Sequence, residues 1–426
     1  MAADMRFSEE DARQEELARL TAIYEEYQSQ KLSLNMTRGR PADAQLDMVQ
    51  KYMDQALASH SYLSKDGTDC RNYGGLDGLI ELKEIFAEAI DTLPENVLVI
   101  GNASLTLMYD VLANARRVGM PSSKQPWSKL DSVKFLCPVP GYDRHFAVTE
   151  NLSFEMINVP MTTDGPDMDI VEELCAADDS IKGIWCVPKY SNPDGIVYSA
   201  EVCERMASMK AADDFLIMWD NAYFAHHLYD EKERQPELPD MLSLCAAAGH
   251  PDRVIEFVSS SKITYAGAGI SALVANRENR DWFLDTYQYM SIGPDKMQQL
   301  YHARFFEITG GIEPVMKQHA AIMRPKFEEV LAVLEEELGG TGLATWIEPL
   351  GGYFISVNLL PGMAREVVRL CKDCGVVLTG AGSTFPYKKD PQDSNLRLAP
   401  SYPTIDELKV AIHVFCLCVK IAALQN

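Results

Sequence analysis

A chain of 426 residues is too long for one small domain and suits a large domain with a smaller companion. Its 39 Lys and Arg against 62 Asp and Glu leave a formal net charge of −23. That field repels nucleic acid and anionic membrane surfaces, so an anionic small substrate has to meet local Arg or Lys groups. No stretch approaches the roughly twenty consecutive apolar residues of a membrane span, and the first thirty residues are highly charged with no leader-like apolar run, so the expected location is the cytoplasm.

In chain order, residues 8–30 open with Ser8 three positions before Asp11, a helix-start signal, and continue as a charged amphipathic helix. A turn-rich stretch follows, Thr37-Arg38-Gly39-Arg40-Pro41, and then another helix. From about Asn96 short apolar runs alternate with helical segments, at 97–100, 133–137, 183–187, 215–219, 254–258 and 270–275. Such β-branched runs, bounded by Gly, Pro or Asn, predict the strands of a mostly parallel sheet covered on both faces, a doubly wound α/β core. A long helix near 313–338 leads to a C-terminal α+β portion with strand-like 353–358 and 376–378. The expected division is a segment 1–50 that joins the smaller domain, a large domain 51–312 and a small domain 313–426.

The ten Cys are scattered, mostly in apolar runs such as Phe415-Cys416-Leu417-Cys418, and read as buried reduced thiols. Cys371 and Cys374 form a C-x-x-C pair, but within a helical pattern and with no second Cys or His pair at zinc spacing, so no metal is expected.

Five elements carry candidate chemistry. Ser259-Ser260-Ser261-Lys262-Ile263-Thr264 places a Lys just after an apolar strand among small hydroxyls, suited to a carbonyl adduct beside a phosphate. Met218-Trp219-Asp220-Asn221-Ala222-Tyr223 puts a carboxylate at a strand end, with a Tyr three residues on. Taken singly, these two are equally a helix cap and a packing ring. Asn192-Pro193-Asp194-Gly195 is a turn at a strand's carboxyl end, where ligands bind in open α/β sheets. Gly101-Asn102-Ala103-Ser104-Leu105-Thr106 runs from a strand into a helix, whose free amides and dipole suit an anion. Ser394-Asn395-Leu396-Arg397-Leu398 offers a guanidinium fork for a carboxylate, with a surface salt bridge as the plain alternative.

These elements, in this order, resemble the fold-type I pyridoxal-5′-phosphate (PLP) aminotransferases over nearly the whole chain, with a large domain built on a seven-stranded, mostly parallel sheet. The likeness is nearest to the MocR-like aminotransferase family with its bacterial aspartate aminotransferase subgroup. It is carried by Leu34-Asn35-Met36-Thr37-Arg38-Gly39-Arg40-Pro41, Pro140-Gly141-Tyr142-Asp143-Arg144-His145-Phe146 and Ser261-Lys262-Ile263-Thr264-Tyr265-Ala266-Gly267-Ala268-Gly269.

The resemblance implies that Lys262 holds the cofactor as a Schiff base and shuttles the proton. Asp220 pairs with the pyridinium, Asn192 and Tyr223 hold the ring oxygen, and Tyr142 stacks on the ring. The amides of Ala103, Ser104 and Leu105, with Ser259, hold the phosphate, while Tyr73 reaches the phosphate in the partner subunit of a homodimer. Arg397 grips the substrate α-carboxylate, with Gly39 and Asn192 lining the pocket. One departure stands out: where the usual pattern has a phosphate-binding Arg shortly after the lysine, this chain has Gly267-Ala268-Gly269-Ile270.

The expected activity is ping-pong transamination of L-aspartate with 2-oxoglutarate. Alanine or aromatic aminotransferases and a PLP β-lyase are the rivals, because one cofactor cradle serves all of them. A non-catalytic regulator of MocR type is disfavoured, since nothing upstream of residue 30 is long or basic enough for a winged helix. Arg144, two residues beyond Tyr142, is the candidate for a distal substrate carboxylate. Arg38, beside Gly39, is its rival.

Overall fold

The computed structural model describes residues 10–37, 39–58 and 61–425, with the side chains of Glu10 and Asp11 left aside. Arg38 and the helix-start signal at Ser8 lie outside the described residues.

The large sheet runs in the order Val97–Val99, Ser271–Val274, Val254–Ser259, Leu216–Asp220, Ile181–Cys186, Lys134–Val139, Glu155–Thr162 and Gly165–Pro166. The five central strands from 254–259 to 155–162 are parallel, and the flanking pairs are antiparallel. The sheet thus extends one two-residue hairpin strand past the seven expected. Glu155–Thr162 carried no apolar run: it lies outermost of the parallel strands, and only Met156 and Val159 of its eight residues are buried.

Both faces of the inner strands are apolar. Leu136, Ile184, Ile217, Val254 and Val258 pack on one side, while Phe135, Trp185, Met218, Ile255 and Phe257 pack on the other. Helices cover each face, and several are started by side chains that take up otherwise free amides: Asp167, Ser199, Asp240, Asn276 and Asp295 each accept from backbone N–H groups in the first turn.

A second core joins the helix Glu10–Ser29, through Leu20 and Tyr24, to Ile312–Leu338, Ala364–Asp373 and Ile405–Gln425. The Arg13 guanidinium fastens the two chain ends by donating to the Leu424 carbonyl at 2.9 and 2.5 Å. These helices pack on a three-stranded antiparallel sheet ordered Ala344–Trp346, Ile355–Leu359, Asn395–Leu398. Leu34–Asn35 runs parallel to Val376–Val377, bringing Thr37 and Gly39 to this unit. All ten Cys are free and buried. Among the described residues no group of three or more His, Cys, Asp or Glu is placed to hold a metal, and no helix is long and apolar enough to cross a membrane.

Candidate active site

Parallel strands end on a common edge, and here each of four neighbours ends on a residue of interest. Asp220 is the last residue of its strand. Lys262 follows Ser259 by three positions, Tyr142 follows Val139 by three, and Asn192 lies on the turn beyond Cys186. The strand Val97–Val99 regains the same direction through two antiparallel pairings, so the helix Ser104–Val118 also begins at this edge. The second unit closes the opposite side with Gly39, Phe354 and Arg397, and the cavity between them has a volume of about 380 Å³.

On the sheet side, Asp220 is buried and its Oδ2 lies 2.9 Å from Nε2 of His145. The His145 ring stacks on Trp185 at 4.2 Å and meets Tyr142 edge-on at 4.9 Å, so the carboxylate is held by a side chain that is itself clamped. The other oxygen, Oδ1, is buried without a hydrogen-bond partner among the described residues. An ionised oxygen left so is costly unless a donor meets it, and Asp220 lines the cavity.

The Lys262 ammonium sits 4.7 Å from the centre of the Tyr223 ring. Burial lowers its pKa, and the Asp220 charge partly opposes this. The loop that carries it is fixed from beneath. Ser260 Oγ accepts from the Ile270 amide and pairs with Thr264 Oγ1, which in turn meets His302 Nε2, each at 2.9 Å. Burial pushes the Tyr223 phenol well above its ordinary pKa and that of Tyr142 up to about 12, with nearby negative groups adding to both. Both phenols therefore stay protonated and remain donors.

Arg397 approaches from the strand Asn395–Leu398. It is 6% exposed, its guanidinium lies 4.6 Å over the Phe354 ring, and Nη1 donates to Asn192 Oδ1 at 3.1 Å and to Asp143 Oδ1 at 3.4 Å. This is a buried link between the two units, not a surface salt bridge. Gly39 is small for a stated reason: a Cβ there would fall 2.5 Å from Phe354 Cζ.

Ser104 and Leu105 face the cavity at the helix start, with Ala103 as the residue that precedes the helix. Ser259 is buried at its strand end behind the cavity, which it does not line. Arg144 is exposed at the cavity wall and forms no ion pair among the described residues. Tyr73 stands apart, 81% exposed on the loop after Asp69. The Gly267–Ala268 stretch is exposed, and Gly269 is packed against the Ser261 backbone.

Sequence reasoning assigned no role to His145, Asp143, Thr37, Phe354 or Thr379. The first two stood within the quoted Pro140–Phe146 motif, and a His three positions after Tyr142 on a helix was the available signal. Thr379 Oγ1 donates to the Thr37 carbonyl at 2.6 Å, a contact between residues 342 positions apart that no local pattern announces.

The family model for aspartate amino-transferase matches residues 8–426. The aspartate aminotransferase of Corynebacterium glutamicum is 46% identical over 407 residues, covering 95% of this chain and 92% of that protein. The crystal structure of an aspartate transaminase from Corynebacterium glutamicum superposes with a TM-score of 0.95 at 44% identity, covering 100% of this chain and 99% of the other. LysN, an α-aminoadipate aminotransferase from Thermus thermophilus complexed with N-(5′-phosphopyridoxyl)-L-leucine, shares the fold at 18% identity, with a TM-score of 0.75 over 92% of this chain and 94% of its own. The architecture is fold type I of the PLP-dependent transferases. The chain belongs to the aspartate amino-transferase family and is a transaminase.

Proposed function

We propose that this protein is an aspartate aminotransferase that uses PLP on Lys262 to convert L-aspartate and 2-oxoglutarate into oxaloacetate and L-glutamate. The observation that carries the reading is one cavity joining a desolvated Lys262, a clamped Asp220 with a buried free oxygen, and the Arg397 guanidinium. The donor set fits the cofactor. Asp220 Oδ1 calls for a proton donor such as a pyridinium, and the start of the helix Ser104–Val118 offers amides to a phosphate. When bound, PLP would supply an aldehyde carbon to carry the amino group between the two acids and a protonated ring to withdraw electrons from the substrate Cα.

The chain's own residues do the rest. Lys262 Nζ, with its proton affinity lowered by burial, takes the proton from the substrate Cα and returns it. His145 fixes Asp220, while the protonated Tyr223 and Tyr142 donate and stack from two sides. Asn192 and Phe354 orient Arg397, which receives the α-carboxylate, and Gly39 leaves room for the Phe354 ring. Ser259, with the Ala103, Ser104 and Leu105 amides, is assigned to the phosphate.

Arg144, exposed and free of ion pairs among the described residues, is assigned to the distal carboxylate. Its exposure lowers the expected cost of Arg144→Ala to about 1–2 kcal/mol, roughly a 5- to 30-fold loss of kcat/KM for aspartate with little loss for alanine. Arg38 remains the rival for that carboxylate.

A homodimer is part of the reading. Tyr62, Leu63, Tyr73, Tyr289, Met290 and Ile292 expose apolar surface on two loops held together by Lys296 Nζ donating to the Gly74 carbonyl at 2.5 Å. Tyr73 on this surface suits a side chain that reaches a partner's site. Ten unpaired thiols suit a reducing cytoplasm. The MocR-like subgroup is supported by the quoted motifs and by the Gly267–Ile270 stretch without Arg.

The test is a panel of amino acids mixed with the PLP-loaded enzyme, following the visible absorbance of the lysine-bound cofactor and the oxo acids released. Aspartate and glutamate should react fastest. Faster conversion of alanine or aromatic amino acids, or release of pyruvate with ammonia, would replace this reading with one of its rivals.

A further inference from the structure

Asp143 touches the same guanidinium that receives the substrate, and nothing in the reading so far uses it. It is the first residue of the helix Asp143–Asn151, a place where the helix dipole favours a carboxylate, and its side chain lines the cavity with 37% exposure. A guanidinium has five N–H groups. One nitrogen, Nη1, is directed at both Asn192 Oδ1 and Asp143 Oδ1, while the buried Nε has no hydrogen-bond partner among the described residues and is left for an incoming carboxylate. The 3.4 Å reach to Asp143 is long beside the roughly 2.7–2.9 Å of a tight charge-assisted bond, so this pair is loose.

We propose that Asp143 is a positioning and affinity-setting residue. Its carboxylate holds one nitrogen of Arg397 and, by its own negative charge, weakens the grip of that guanidinium on the carboxylate of substrate and product alike. The inference rests on the assignment of Arg397 to the α-carboxylate. Its logic follows from the reaction. Both substrates and both products of a transamination carry that group, so the cation that captures one acid must release the next. Asp143 and the bound carboxylate then flank one guanidinium, a like-charge juxtaposition in a partly desolvated pocket that raises every dissociation constant without selecting among side chains. Of the other charged groups near Tyr142, Arg144 carries no ion pair among the described residues, and Asp220 is engaged with His145.

The experiment uses succinate, an unreactive dicarboxylate, titrated calorimetrically into the PLP-loaded enzyme, together with KM values for aspartate and alanine. Asp143→Asn keeps the shape and the acceptor oxygen while removing the charge, and Asp143→Ser removes the charge with a shorter side chain that keeps a hydroxyl acceptor. In either variant the succinate Kd and both KM values should fall, by roughly 3- to 30-fold. Unchanged or weaker succinate binding in both variants overturns the proposal, because a purely structural Asp143 would alter stability and leave affinity alone or worsen it. Arg397→Lys separates the two levels. If it weakens succinate binding while the Asp143 variants do nothing, only the role of Asp143 fails. If it leaves succinate binding intact, the α-carboxylate assignment fails with it.

Discussion

The two walls of the cavity are built in different ways. The sheet wall takes Asp220, Asn192, Lys262 and Tyr142 from the ends of adjacent parallel strands or a few residues beyond, so the hydrogen-bonded ladder of the sheet sets their spacing. The opposite wall takes Thr37, Gly39, Phe354, Thr379 and Arg397 from four separate stretches, brought together by the short pairings of Leu34–Asn35 with Val376–Val377 and of Ile355–Leu359 with Asn395–Leu398 and by the second core. The first wall is fixed by adjacent strands of the large sheet and, on the proposed reading, holds what never leaves. The second is tuned by side-chain packing on its smaller frame, Phe354 against Gly39 and against Arg397, and on the proposed reading it receives what changes in each half-reaction.

That contrast is tested hardest at the sheet wall. Lys262→Ala should remove the visible absorbance band of the loaded enzyme and lower turnover on the order of 10⁴-fold or more, since on the proposed reading it deletes both the attachment point and the proton-transfer base. The fold should persist, because the bonds that secure the loop, Ser260 with Thr264 and Ile270, do not involve the lysine side chain. A band that survives dialysis in this variant would move the attachment to another lysine.

The same contrast decides what the sequence made legible. Lys262, Asp220 and Asn192 stood out because a strand end is a local event: an apolar β-branched run followed by one chemically distinctive residue. The α/β class was legible for the same reason, since both-face burial makes the inner strands read as unbroken apolar runs. Glu155–Thr162 escaped because only two of its eight residues are buried and polar and apolar residues mix along it. His145 escaped because its role depends on Asp220 and Trp185, 75 and 40 positions away in the chain. Phe354 and Thr379 escaped because their partners Gly39 and Thr37 lie far away in the chain, and the Asp143–Arg397 pair escaped because it exists only once the two units are packed together.

If packing governs the second wall, one added methyl should damage it while sparing the first. A Cβ at Gly39 would meet Phe354 at 2.5 and 2.9 Å and the Tyr353 Cβ at 3.0 Å, and Phe354 is the ring that flanks Arg397. Gly39→Ala should therefore raise KM for aspartate and alanine alike, roughly 10-fold, with PLP affinity and the visible band unchanged. A loss of PLP affinity equal to the loss of substrate affinity would erase the distinction between the walls.

The smallest effect lies behind the sheet wall and is a matter of pH. Glu256 is buried on the strand next to Asp220, where its Oε1 accepts from Asn221 Nδ2 at 2.8 Å, and burial pushes its pKa up to about 8, with the Asn221 bond partly opposing. The folded state thus keeps a proton that the unfolded chain gives up near the ordinary value of 4.5. Between these values the folded form binds more protons, so its stability falls as pH rises. The contribution is fully present below about 4.5 and is lost as the pH climbs through about 8. Glu256→Gln keeps an oxygen for Asn221 and cannot titrate, so its Tm should fall less than that of wild type between about pH 6 and pH 8, the difference amounting to a few degrees at most. Every other titrating group is common to both proteins, which makes the difference between the two curves the quantity to measure. Parallel curves would mean that Glu256 is already ionised in the fold, and the sheet wall would then hold a second buried carboxylate charge beside Asp220.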